Sequence, residues 1–150
     1  MTTDPLPGTQ PHQVLLDTAF GDHLVTNWQT NVEARTIGAK AVTPLLDPTR
    51  WPGIDWAWGI EPVASFPHEG SALVYWDSGP LRSGPGPDGF IGTDPPPITN
   101  TAPLAGEDPH EHPRVTDTAI EMIDGFLRTN GEVTNPCAPG PCLAGGWTGS

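Results

Sequence analysis

Positive charge is what this sequence has least of. Lys40 is its only lysine, six basic residues face eighteen acids, and the formal net charge is −12. A field of that sign repels phosphate backbones, so nucleic acid is not an expected partner. The acids are scattered rather than run together, which suits a solubilising surface. No D-x-D-x-D-G loop supplies a calcium site, and no H-E-x-x-H offers a zinc site. Long apolar runs are also missing, so no membrane span is expected. The opening residues, M-T-T-D-P-L-P-G-T-Q, lack the basic region and apolar core of a signal peptide. The sequence calls for no cofactor.

Glycine and proline are abundant instead, 18 and 20 of 150 residues, and the hydrophobic fraction is 35%. That balance predicts a modest core with long irregular connections. The two cysteines, Cys137 and Cys142, stand in C-A-P-G-P-C. A turn of this composition can bring the sulfurs together as a disulfide, which would imply an oxidising compartment. Free thiols are the alternative, whereas zinc would need two further ligands nearby. A disulfide without an export signal suggests that the natural N-terminus lies upstream of Met1.

Residues 1–11 read as a flexible lead-in. Gln13–Ala19 reads as a buried strand, in which Asp17 must face solvent or find a partner. The apolar run then breaks at Phe20-Gly21, and the turn presents Asp22. A helix capped by Thr26 or Asn27 follows, with Val25, Trp28 and Val32 spaced along one face and Gly38 placed to end it. Ala41-Val42 can start a short strand. Trp51, Trp56 and Trp58 suggest an aromatic cover for a core edge or a binding surface. Ser71–Trp76 is a second clear strand. Residues 79–113 form a long loop holding fifteen Pro or Gly, ending in E-D-P-H-E-H-P. A last helix begins near Thr116, with Thr118 and Glu121 spaced as a capping box. Its expected apolar stripe is Ile120, Ile123, Phe126 and Leu127, with Met122 off it. Residues 131–150 form a Cys-containing tail with a short possible strand.

A strand that hands a carboxylate to a turn, with a helix following, is how open α/β sheets build sites at their C-terminal edge. The order here is strand, turn with Asp22, helix, strand, long loop with His110, helix. That order, with Asp22-His23-Leu24-Val25 as a D-x-x-V segment, matches the last third of an α/β-hydrolase. The blocks F-G-D-H-L-V-T-N, E-A-R-T-I-G-A, G-S-A-L-V-Y-W-D and G-E-D-P-H-E, within residues 12–147, extend the likeness. The chain resembles the C-terminal region of large secreted bacterial α/β-hydrolase-like proteins of esterase or lipase type.

The resemblance implies roles. A serine hydroxyl becomes a nucleophile when a histidine takes its proton, and the histidine needs a carboxylate to orient it. Asp22 would be that carboxylate and His110 the base, flanked by Asp108 and Glu111. His112, two residues on, is the competing base. His68 precedes the second strand and fits less well, and His23 can face either the site or solvent. The nucleophile is absent: none of Ser65, Ser71, Ser78, Ser83 and Ser150 lies in G-x-S-x-G.

The expected fold is therefore α/β, a partial C-terminal portion of an α/β-hydrolase-type sheet of two or three strands, spanning residues 12–130. The expected function is the acid-and-base portion of a serine-type hydrolase of an ester or related acyl bond, inactive alone. Its substrate would be a small-molecule ester once other polypeptide completes the site. A sheet cut at this point leaves an edge open, through which it would associate. Its location would be extracellular or in the cell envelope. The alternative is a small acidic extracellular binding domain, its surface formed by the tryptophans and the Pro-rich loop.

Overall fold

A-L-V-Y-W-D, residues Ala72–Asp77, is a run of β-formers buried at every position, so it needs cover on both faces and a neighbour on each side. The computed structural model describes residues 2, 4–84 and 91–149, and in it this strand is the centre of a four-stranded, all-parallel sheet. In chain order the elements are β1 (Leu15–Phe20), α1 (Asn27–Ile37), β2 (Lys40–Ala41), β3 (Ala72–Asp77), α2 (Asp117–Leu127) and β4 (Cys142–Leu143). Two one-turn 3₁₀ helices, Pro109–Glu111 and Pro113–Val115, precede α2. The fold is mixed α/β with a small open parallel sheet. Among the described residues it has four strands where two or three were expected; the two-residue strands are β2, overlapping the short strand expected at Ala41-Val42, and β4, within the tail where a short strand was possible.

β1 pairs with β3 along its whole length, from Leu15 opposite Ala72 to Phe20 opposite Asp77. On the other side of β3, β2 takes the first two residues and β4 the last two. Among the described residues β1 pairs with no strand but β3, so its outer edge is open.

Side-chain alternation divides the core into two layers. On one face Val74, Trp76, Met122, Ala119, Val133 and Cys142 pack together with Leu15. On the other, Phe20, Leu73 and Tyr75 meet Ala34 of α1 and Trp56. Phe20 makes edge-to-face contacts with Trp51, Trp56 and Tyr75 at centroid distances of 5.0, 5.0 and 5.9 Å. Of the three tryptophans expected to cover a core edge, Trp56 is buried and Trp51 half-buried, but Trp58 is 70% exposed.

α1 turns a different face to the sheet than its apolar spacing predicts, whereas α2 keeps Phe126 of its expected stripe against the core but buries Met122 and exposes Ile120 and Leu127. In α1 the buried residues are Asn27, Thr30, Asn31 and Ala34, while Val25, Trp28 and Val32 are exposed. The buried amides are satisfied: Asn27 Oδ1 accepts from the Gly21 N–H at 2.9 Å, and its Nδ2 donates to the Ala19 carbonyl at 2.8 Å. Asn31 Oδ1 accepts from the Tyr75 hydroxyl at 2.7 Å. A paired amide carries little penalty for burial, and here the pairs tie α1 to the ends of β1 and β3. In α2 the fully buried residues are Ala119 and Met122, with Ile123 and Phe126 half-buried and Ile120 and Leu127 exposed.

The N-cap of α2 is Thr116, not Thr118, and its hydroxyl donates to the His112 carbonyl at 2.8 Å instead of capping the helix. Gly38 ends α1 in the left-handed conformation, its N–H donating to the Ala34 carbonyl. Cys137 and Cys142 form a disulfide. Within the long 79–113 connection, residues 85–90 lie outside the described ones, as do Met1 and Thr3 of the lead-in and Ser150 of the tail.

Candidate functional site

Because Phe20 and Asp77 are register partners, β1 and β3 end level, and the residues that follow them emerge at one edge of the sheet. Gly21 makes the turn after β1 with φ +87, and a Cβ there would stand 2.7 Å from Thr93. Glycine is required on both counts. The turn delivers Asp22, which is 4% exposed.

Each oxygen of that carboxylate has its own task. Oδ1 accepts from the Leu24 and Val25 N–H groups at 2.8 and 2.7 Å, an Asx-type turn that fixes the side chain. Oδ2 stands 2.7 Å from His110 Nδ1. His110 is carried by the 3₁₀ turn Pro109–Glu111. Asp108 holds that turn in place: its Oδ1 accepts from the His110 N–H at 3.1 Å and from the His23 N–H at 3.4 Å. One carboxylate thus caps the histidine's turn and links it to the residue next to Asp22.

A carboxylate can only accept, so the 2.7 Å contact places the proton on His110 Nδ1 and leaves the Nε2 lone pair free to take one. The His110 side chain is 21% exposed, and its Nε2 stands 3.9 Å from Glu111, beyond hydrogen-bonding range. Glu111 is engaged elsewhere, with Arg114 at 2.7 and 2.9 Å. A buried acid that orients one imidazole nitrogen and leaves the other unpaired with it can support general-base chemistry.

The other histidines fall elsewhere. His112 Nδ1 stands 2.7 Å from Ser78 Oγ at the end of β3. His23 is buried, with its Nδ1 at 2.9 Å from the Thr101 carbonyl, facing neither solvent nor His110. His68 pairs through its backbone with Val133, in an antiparallel bridge before β3 begins. Ser78, the partner of His112, is fully buried.

Two arrangements were not apparent from the sequence. Asp77, fully buried at the last position of β3, takes a bidentate pair from Arg50 at 2.6 and 3.0 Å. The Arg50 guanidinium also lies over the rings of Trp51 and Trp147, 4.4 and 5.2 Å from their centroids. An unusual arginine beside three tryptophans was the only available signal. Asp17 found its partner in the Trp76 indole N–H at 2.5 Å. Burial pushes its carboxyl up to about 6, against the smaller lowering effects of that hydrogen bond and of Arg114.

No group of three or more His, Cys, Asp or Glu residues among those described could hold a metal ion, and no helix among them is long and apolar enough to cross a membrane. No protein-family model, curated protein or solved structure matches the chain.

Proposed function

We propose that this chain is the acid-and-base portion of a serine-type α/β-hydrolase acting on an ester or related acyl bond. The observation that carries the reading is the 2.7 Å contact between Asp22 Oδ2 and His110 Nδ1 at the C-terminal edge of a parallel sheet. Asp22 fixes the tautomer and stabilises the imidazolium, and His110 Nε2 takes the proton of a serine hydroxyl as it attacks the acyl carbon. The same nitrogen then returns that proton to the leaving alkoxide. The serine and the oxyanion-binding amides come from another stretch of polypeptide, since no serine here lies in a nucleophile elbow.

Two further features support a missing neighbour. The outer edge of β1 is unpaired among the described residues, and parallel sheets ordinarily cover both faces and extend by pairing. Leu24 and Val25, just before α1, and Trp28 and Val32 on it expose 57, 44, 39 and 56% of their surface. The Cys137–Cys142 disulfide favours an oxidising, extracellular or envelope location.

The test joins this chain to the coding sequence that precedes it in frame. The joined polypeptide is expected to hydrolyse short-chain p-nitrophenyl esters, and Asp22→Asn to lower kcat by about 10⁴ through loss of the correct tautomer. The chain alone should neither hydrolyse these esters nor react with a fluorophosphonate. Labelling of any of its five serines, or ester hydrolysis by the joined form that survives His110→Ala, overturns the proposal.

A further inference from the structure

His110 and His112 are two residues apart, yet each is tied to the end of a different strand. His110 reaches Asp22, just beyond β1, and His112 reaches Ser78, the first residue beyond β3. Backbone pairing between β1 and β3, level at Phe20 and Asp77, fixes the distance between the two anchors. The Asp22–His110 contact and the Asp108–His23 link both tie the loop to the turn after β1, and leave it free to swing about that end. Two bonds to two rigid strands set its orientation as well. From this we infer that Ser78 and His112 are a positioning pair, which staples the loop carrying His110 to the sheet and aims its imidazole at Asp22.

The surroundings are built for the contact. Ser78 is held from behind, because Asp77 accepts from the Gly79 N–H at 2.9 Å while bound to Arg50. His112 is the hinge between the two 3₁₀ turns: its N–H donates to the Pro109 carbonyl at 2.9 Å, and its carbonyl accepts from Val115 N–H at 3.2 Å and the Thr116 hydroxyl at 2.8 Å. Its ring occupies a slot that exists because residue 145 has no side chain. A Cβ on Gly145, at φ +57, would stand 2.5 Å from His112 Nδ1 and 3.0 Å from Ser78 Cβ.

The pair is not a second nucleophile and base. Ser78 Oγ sits in a fully buried residue, and no strand-to-helix elbow presents it. Its partner, moreover, is Nδ1, the nitrogen that His110 gives to its carboxylate. Ser78 and His112 touch no reacting atom in this scheme and act through His110.

The value of the staple for catalysis rests on the hydrolase reading, whereas its existence can be measured with no turnover. In the intact chain, proton NMR of the His110 Nδ1–H, assigned by its loss in His110→Ala, reports the pairing with Asp22. Ser78→Ala and His112→Leu are expected to remove that resonance by opening it to exchange, with far-ultraviolet circular dichroism unchanged. His112→Asn, which keeps a polar atom at the Nδ1 position, is expected to restore it. Where Ser78→Ala does not fold, the comparison of His112→Leu with His112→Asn decides. An undiminished resonance in folded His112→Leu overturns the inference, as does fluorophosphonate labelling of Ser78. Failure of the joined polypeptide to hydrolyse esters bears on the hydrolase reading and leaves this result standing.

Discussion

Arg50 grips Asp77 with two hydrogen bonds, of 2.6 and 3.0 Å, in a place where both side chains are almost wholly withdrawn from water. The pair joins the Trp-rich segment to the end of the central strand, next to the turn that carries Ser78. Removing one partner leaves the other charge buried and alone, which costs about 3–5 kcal/mol. Arg50→Ala is therefore expected to lower the urea midpoint sharply, and Arg50→Lys to recover only part of it, since an ammonium cannot reproduce the bidentate fork. Chemical denaturation of the three proteins checks this.

The two sides of α1 should respond to substitution in the opposite sense to their hydrophobicity. Asn31 Oδ1 accepts the buried Tyr75 hydroxyl, so Asn31→Ala leaves that donor only the Asn27 carbonyl at 3.5 Å and is expected to cost about 1–3 kcal/mol. Val32 is 56% exposed, and Val32→Ser is expected to change stability by no more than about 0.5 kcal/mol. The same denaturation series, read for these two variants, distinguishes the observed helix face from the one its apolar spacing suggests.

Asp17 makes stability depend on pH. Its carboxyl titrates near 6 in the folded chain, above the ordinary 3.8, because burial penalises the charged form. The folded state therefore holds its proton over a range where the unfolded state has lost it. By linkage, the contribution is present below about pH 4 and is lost as pH rises through about 6. Asp17→Asn keeps an acceptor for the Trp76 indole and removes the charge. It is expected to stabilise the chain by on the order of 2 kcal/mol at pH 7 and to have little effect at pH 4. Urea midpoints at the two pH values measure the difference.

The disulfide closes a short loop, Cys137 and Cys142 being separated by 5 positions in sequence. Loop entropy alone gives about 2 kcal/mol for a ring of that size. The double variant Cys137→Ala/Cys142→Ala is expected to lose roughly that amount while keeping the Asp22–His110 pairing, because β4 pairs with β3 and the β1–β3 ladder that positions Asp22 does not involve it. Thermal unfolding and the His110 N–H resonance give the two readings.

What could be read from the residues follows from how local each feature is. β1, the Gly21 turn, Asp22 and α1 are set by neighbours within a few positions, and so were legible as strand, turn, acid and helix. The link from Asp22 to His110 was legible only through the order of elements, which brings the loop after one strand to the end of another. The choice between His110 and His112 was not, because both lie on one short turn and separate only when Ser78 takes the second ring. The buried face of α1 was hidden for another reason. Hydropathy scores Asn27 and Asn31 as outward, and only their partners, Gly21, Ala19 and Tyr75, make them inward. Arg50–Asp77 and Asp17–Trp76 are long-range polar pairs of the same kind, with no periodicity to announce them.

On the proposed reading, Asp22 holds His110 with Nδ1 protonated and Nε2 free to accept a proton. Long-range ¹⁵N–¹H correlation spectra of the intact chain at neutral pH read that tautomer directly. A pyrrole-like Nδ1 and a pyridine-like Nε2 are expected on His110, with the Nδ1–H signal lost in Asp22→Asn. A His110 protonated on Nε2 with a bare Nδ1, or one whose spectrum is unchanged by Asp22→Asn, would contradict it.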